Sequence, residues 1–286
     1  MASRKQQKEA LRAQREQVHA QLRSQQQRRR RIWTLGGVVS VVIVAAAVAI
    51  IASSGGGAGK TTGSGLKNVV SHFTSNADAV ADMASVISGI PQSGNRLGNP
   101  HAKVTVTEYG DLVCSTCDAF ALTSEPEFIA DEVRTGKAKL LYRAVDTASE
   151  TANQSEFVDG QVAARSAGLQ NLEWDYILLM YNEQPISIGG KDSELVPYIS
   201  TAYLQNIAQQ VPGLNLIKWQ QGLTNSTLIG DVATDGKTAN QLGVDSTPTV
   251  FLSGPKGTVQ WDKGSDILPP TATALAQLKA LVKQVS

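Results

Sequence analysis

From residue 85 to residue 286 the chain alternates short β-branched runs with longer stretches of helical period. Val104-Thr105-Val106-Thr107-Glu108-Tyr109 is rich in strand formers and bounded by Pro100 and Gly110, so it predicts a strand. Residues 115–134 predict a helix kinked near Pro126, and Ala138–Val145 (AKLLYRAV) is an apolar run of strand length. Helical spacing then recurs over 155–168, 171–183, 194–210 and near 229–241. Thr249-Val250-Phe251-Leu252 predicts another strand, Gly254-Pro255-Lys256-Gly257 a turn, and Thr258–Trp261 the hairpin partner. Pro269-Pro270-Thr271 opens a last helix with apolar positions Leu275, Leu278, Val282 and Val285. This order predicts an α/β domain: a mixed sheet covered by helices, with a helical subdomain inserted at about 147–241.

Residues 1–84 follow another pattern. Ile32–Ala52, IWTLGGVVSVVIVAAAVAIIA, is 21 residues without a charge, and roughly 20 apolar residues of helix cross a bilayer core. Arg28 to Arg31 abut its start, and the next charge after it is Lys60. Positive charge on the N-terminal flank predicts a single-pass cell-membrane protein, with residues 1–31 cytoplasmic, a transmembrane helix at 32–52 and the rest extracytoplasmic. A cleaved signal peptide is the alternative. Its apolar region usually runs about 7–15 residues after a short basic start, whereas here the apolar run is longer and its basic start has 31 residues. A signal anchor is therefore the expectation. The segment 53–84 reads as a flexible linker, Gly/Ser/Thr-rich to residue 65, then carrying a short apolar periodicity that predicts a helix against the domain. Gly59-Lys60-Thr61 resembles the end of a phosphate-binding loop, but it follows an apolar span rather than a strand and is set aside.

Composition sharpens this division. The chain has 286 residues, 42% hydrophobic and 18% charged, with two cysteines, which excludes both a wholly disordered chain and a disulfide-dense scaffold. Its net charge of +1 averages two unlike parts: residues 1–31 hold ten Lys+Arg and two Asp+Glu, and the remaining 255 hold 16 and 23. The basic head suits anionic lipid headgroups. No groove-reading motif accompanies it, so nucleic acid is not an expected partner.

Both cysteines lie in Cys114-Ser115-Thr116-Cys117, where the first strand gives way to the first helix. A helix N-terminus stabilises an anion, so a thiolate at Cys114 is favoured there, and the i to i+3 spacing brings Cys117 to the same face. That suits thiol–disulfide exchange, in which one sulfur is attacked and the second resolves the mixed disulfide. Zinc usually takes about four Cys or His ligands, and no further set is spaced for it, so no metal is expected. A structural disulfide and two unrelated buried cysteines are the remaining alternatives, although so small a loop makes a weak staple. No cofactor beyond a redox-active Cys114–Cys117 disulfide is expected. Far along the chain, Ser246-Thr247-Pro248-Thr249-Val250 puts a proline at the start of an apolar strand, which a strand tolerates and which permits a cis bond. The missing N–H leaves the Thr247 backbone free for an incoming peptide.

The stretch from Glu108 to Phe120, around Cys114-Ser115-Thr116-Cys117, resembles the active-site signature of DsbA-like thiol:disulfide oxidoreductases of the thioredoxin superfamily, in the membrane-tethered form familiar from actinobacteria. Gly89-Ile90-Pro91-Gln92 and Leu97-Gly98-Asn99-Pro100 resemble the segment before that family's first core strand. Ala163-Ala164, Trp174 and Asn182-Glu183-Gln184 resemble its helical insertion, and Gly243-Val244 through Thr247-Pro248-Thr249 its cis-proline loop. The resemblance implies a thioredoxin-like fold over 85–286, with Cys114 as exposed nucleophile, Cys117 as resolving thiol and Thr247-Pro248 as the substrate-binding pair opposite. It also implies exported protein substrates and a quinone-linked membrane reoxidase of the DsbB or vitamin-K-epoxide-reductase type. Ser115 and Thr116 stand where the family often has Pro and His. Hydroxyls without charge are weaker thiolate donors, which predicts a less oxidising pair. Disulfide formation leads, with reductase or isomerase and a non-catalytic binding module with a locked disulfide as alternatives. Asp111, close before Cys114, is a candidate for tuning the thiol, or for a cap or turn.

Overall fold

A computed structural model of the chain describes residues 83–149, 154–185, 187–188, 191–192, 197–263, 268–269 and 271–286. The expected basic tail, transmembrane helix and tether lie outside the described residues, and among the described residues no helix is long and apolar enough to cross a membrane. Residues 83–87 are helical, and the rest of the helix expected before the domain lies outside the described residues.

A small hairpin, β1 (Gln92–Ser93) and β2 (Arg96–Leu97), starts the sheet. The alternation in β3 (Val104–Gly110) buries Val104, Val106 and Glu108, and that in β4 (Ala138–Ala144) buries Ala138, Leu140, Tyr142 and Ala144. These two strands pair in parallel, Val104 opposite Ala138 through to Gly110 opposite Ala144. Between them the chain forms α1 (Ser115–Thr123), α2 (Glu125–Phe128) and a π-helical turn at Ile129–Val133. The expected kink is a break at Ser124, and Pro126 falls in the first turn of α2, where its missing N–H has no intrahelical partner to lose.

Between β4 and the return to the main sheet the described residues form α3 (Gln154–Gly168), α4 (Glu173–Asn182), α5 (Thr201–Gln210), α6 (Leu216–Gly222) and α7 (Ser226–Gln241). A separate two-stranded ribbon, β5 (Ser187–Ile188) with β6 (Lys191–Asp192), precedes α5. The chain then returns to the main sheet as β7 (Thr249–Gly254), antiparallel to β3, and β8 (Gly257–Gln260). It ends in α8 (Thr271–Val285), which buries Ala274, Leu278, Val282 and Val285. The sheet order β1-β2-β4-β3-β7-β8 puts β3 at the centre, so the site at its C-terminal end rests on the most enclosed strand. Trp174, Trp219, Tyr142, Tyr176 and Tyr181 are the largest fully buried side chains, and they join the helical block to the sheet in one continuous core.

Candidate active site

β3 carries the chain out of the sheet through Gly110. A Cβ there would come within 2.6 Å of the Tyr142 ring and 3.0 Å of the Tyr181 hydroxyl oxygen, so the close approach requires glycine. Asp111 follows, buried, with both carboxylate oxygens occupied. Oδ1 accepts from the Val113 N–H at 3.1 Å and the Ser149 hydroxyl at 2.8 Å; Oδ2 accepts from the N–H groups of Thr147 at 3.1 Å and Ser149 at 2.9 Å. These bonds lock the loop before Cys114 to the loop after β4. Burial raises the Asp111 pKa, and the bonds from Ser149, Val113 and Thr147 work against that rise.

Cys114 is the N-cap of α1. Its N–H donates to the Asp111 carbonyl at 3.0 Å and its carbonyl accepts from the Asp118 N–H at 3.0 Å. Its Sγ donates to the Thr247 carbonyl at 3.7 Å, bringing together residues 133 apart in the chain. The Thr247–Pro248 bond is cis. The hydroxyls of Thr247 and Thr147 lie 2.7 Å apart, so the belt that begins at Asp111 reaches the proline loop. Ser115 is half-buried and Thr116 buried in the first turn of α1. Both cysteines are free thiols. One expectation is corrected: Cys114, read as an exposed nucleophile, is only 2% exposed. It packs into the core cluster with the Thr247 carbonyl against it, so an attacking thiolate must displace part of this packing.

Cys117 is fully enclosed. Burial pushes its thiol well above the usual range, the hydrogen bond with Cys114 and the charges of Cys114 and Glu108 push the same way, and the Asp111 backbone opposes them. Glu108 and Glu125, both buried, share a hydrogen bond beside it. Burial lifts Glu108 to about 7, and burial together with the nearby Glu108 charge raises Glu125 well above the ordinary carboxyl range. Two adjacent carboxyls in apolar surroundings do not both ionise. A third acid, Asp118, is raised to about 8 by burial and then by Cys114. On the other side, Lys263 Nζ donates to the Pro248 carbonyl at 2.7 Å.

The site thus gathers Cys114, Ser115, Thr116, Cys117, Thr247, Pro248 and Asp111. Glu108, Glu125, Asp118, Thr147 and Lys263 were not among the sequence candidates. Glu108 had a signal, because strand alternation puts it on the same face as Val104 and Val106. Among the described residues no group of three or more His, Cys, Asp or Glu side chains is arranged to hold a metal ion.

A family model described as Thioredoxin matches residues 92–267, more than half of the chain. Disulfide bond formation protein D of Bacillus subtilis is 23% identical over 176 residues, covering 62% of this chain and 72% of that protein. A Na(+)/H(+) antiporter NhaA 1 of Mycolicibacterium gilvum is 27% identical over 178 residues, 61% of this chain; the chain spans only 26% of the antiporter's length. The crystal structure of oxidised BdbD from Bacillus subtilis superposes with a TM-score of 0.52 at 18% identity, covering 69% of this chain and 96% of that one, and so shares its fold. The sheet order, the cysteine pair at the head of α1 and the family match agree: the chain belongs to the thioredoxin family.

Proposed function

We propose that the chain is a membrane-anchored, extracytoplasmic thiol:disulfide oxidoreductase that forms disulfides in exported proteins, with Cys114 and Cys117 as its redox couple. The observation that carries this reading is the 3.7 Å approach of Cys114 Sγ, at the N-terminus of α1, to the backbone of Thr247. In the oxidised chain a substrate thiolate attacks Cys114 Sγ, the Cys114–Cys117 bond breaks, and Cys117 leaves with the electron pair. Burial makes the Cys117 thiolate costly, so it takes a proton, and Glu108, with a pKa of about 7, is a neighbouring donor. The substrate's second thiolate attacks the mixed disulfide, its own disulfide closes, and Cys114 departs as a thiolate. The substrate loses two electrons and the chain gains them. A quinone-linked membrane reoxidase then accepts the two electrons, the Cys117 proton returns to Glu108, and the Cys114–Cys117 disulfide is restored.

The test is oxidation of a reduced, unfolded protein. Cys114→Ser and Cys117→Ser are each expected to abolish turnover, with Cys117→Ser trapping substrate as a mixed disulfide; catalysis surviving in both variants defeats the reading. A reduction potential in the range of the strong oxidants, about −120 mV, supports disulfide donation, and one near about −270 mV supports reduction instead. The anchor rests on the charge-free Ile32–Ala52 stretch behind four arginines. It predicts that the chain stays with membranes through an alkaline wash, and release into the soluble fraction would count against it. The burial of both sulfurs favours a second reading, a thioredoxin-like binding module with an inert cysteine pair. Alkylation separates the two: a redox couple reacts at Cys114 after reduction without denaturant, and an inert pair does not.

A further inference from the structure

The loop between the cysteines, Ser115-Thr116, brings no charge to the sulfurs. A charge arrives from elsewhere. Trp261 is buried against Phe120 of α1, with ring centroids 5.6 Å apart; its backbone N–H donates to the Val250 carbonyl at 2.8 Å and its indole N–H to Gln277 at 2.8 Å. Two residues beyond this fixed point, half-buried Lys263 donates to the Pro248 carbonyl at 2.7 Å, beside the Thr247 carbonyl that meets Cys114 Sγ. We propose that Lys263 is a positioning residue of this site: its ammonium holds the proline loop by the Pro248 carbonyl and supplies the positive charge that favours the Cys114 thiolate.

The surroundings support this. Burial lowers the Lys263 pKa, while charges on Cys117, Cys114 and Asp245 raise it, so the ammonium lies within electrostatic reach of both sulfurs. The other titratable groups around the pair are Glu108 on β3, Glu125 on α2, Asp118 on α1, Asp111 in the preceding loop, Tyr142 on β4 and Tyr181 on α4. Each of these is neutral or negative and opposes a thiolate or leaves it unaided. Thiolate stability sets the potential: a better-stabilised Cys114 thiolate favours the reduced chain and makes the disulfide a stronger oxidant.

The inference rests on the reading of Cys114 as the attacked sulfur, and the test keeps the two apart. Thiolate formation is followed by ultraviolet absorbance against pH in the reduced full chain, and the redox equilibrium is measured against glutathione. Lys263→Met removes the hydrogen bond and the charge; Lys263→Gln keeps a donor for the Pro248 carbonyl and removes only the charge. Both are expected to move the thiol titration about one unit upward, and to shift the redox equilibrium about tenfold toward the disulfide, or about 30 mV. Lys263→Arg is expected to restore both. A wild-type titration in Lys263→Met and Lys263→Gln overturns the charge role, as does an equal shift in Lys263→Arg. A titration that persists in Cys114→Ser removes the Cys114 assignment itself, whatever the Lys263 variants show.

Discussion

Asp118, in the first turn of α1, has one carboxyl oxygen, Oδ1, buried without a hydrogen-bond partner. Burial and then the Cys114 charge raise its pKa to about 8. The interaction is mutual: a charged Asp118 disfavours the Cys114 thiolate, and a protonated one does not. The effect of Asp118→Asn should therefore grow with pH. At low pH the variant matches the parent, because both side chains are neutral. Above about pH 8 the parent carries a repelling charge that the variant lacks, and thiolate formation should be complete up to about one unit earlier in the variant. Ultraviolet titration of the reduced chain checks this, and a uniform shift at every pH, or none, counts against it. The residues readable in the sequence were those whose chemistry depends on local spacing: Cys114 and Cys117 at a strand–helix junction, and Pro248 at a strand start. Thr147 and Lys263 act across the fold, and their neighbours along the chain give no sign of it, whereas Asp118 lies one turn past Cys114 and its role follows from its burial.

At the scale of elements, the central strands were legible because their alternation is regular, and β3, β4 and β7 form where the pattern puts them. The helical block was less so. α6 (Leu216–Gly222) is only seven residues long and exposes Ile217, so its apolar period is too short and too leaky to mark a helix; its signal is the Asn215 cap, which accepts from the Lys218 N–H at 3.0 Å. α7 begins at Ser226, capped by Asn225, and Asp235 occupies one of its core-facing positions between Val232 and Ala239, which breaks the hydrophobic rhythm. That aspartate is structural. Its Oδ1 accepts from Arg143 on β4 at 2.6 Å, and its Oδ2 accepts from the Ala144 N–H at 3.1 Å and from Arg165 on α3. The carboxylate thus ties the insertion to the sheet at the end of β4. Removing one partner of a buried ion pair leaves the other charge uncompensated, so Asp235→Ala is expected to destabilise the chain by about 3–5 kcal/mol. Denaturant unfolding measures this; a loss below about 1 kcal/mol, the range of a surface pair, would remove the tie from the account.

For the whole molecule, buried acids set how stability varies with pH. Glu108 and Glu173 are raised to about 7 by burial and Asp118 to about 8, and burial raises Glu125 as well. Three of these lie under the cysteines, whereas Glu173 sits at the start of α4, its Oε1 3.7 Å from Arg165 Nε and without a hydrogen-bond partner. In the unfolded chain the same groups release their protons near about pH 4. Above that pH the folded chain holds protons that the unfolded chain has lost. Stability therefore falls as pH rises, from the ordinary carboxyl range through about pH 7 to 8, and their favourable contribution is full only below that window. This is the reverse of a chain held by ionised carboxylates, which loses stability on acidification. Thermal melts of the reduced chain should show a Tm that declines between about pH 5 and pH 8. Glu173 tests the cause without touching the redox chemistry. Glu173→Gln removes a titration whose shift from 4.5 to about 7 corresponds to a contribution on the order of 3 kcal/mol, so the variant's decline should be shallower by an amount of that order. A Tm that rises across the window, or an undiminished slope in Glu173→Gln, would mean that the carboxyl at the root of α4 is ionised in the folded chain and that Arg165 outweighs its burial.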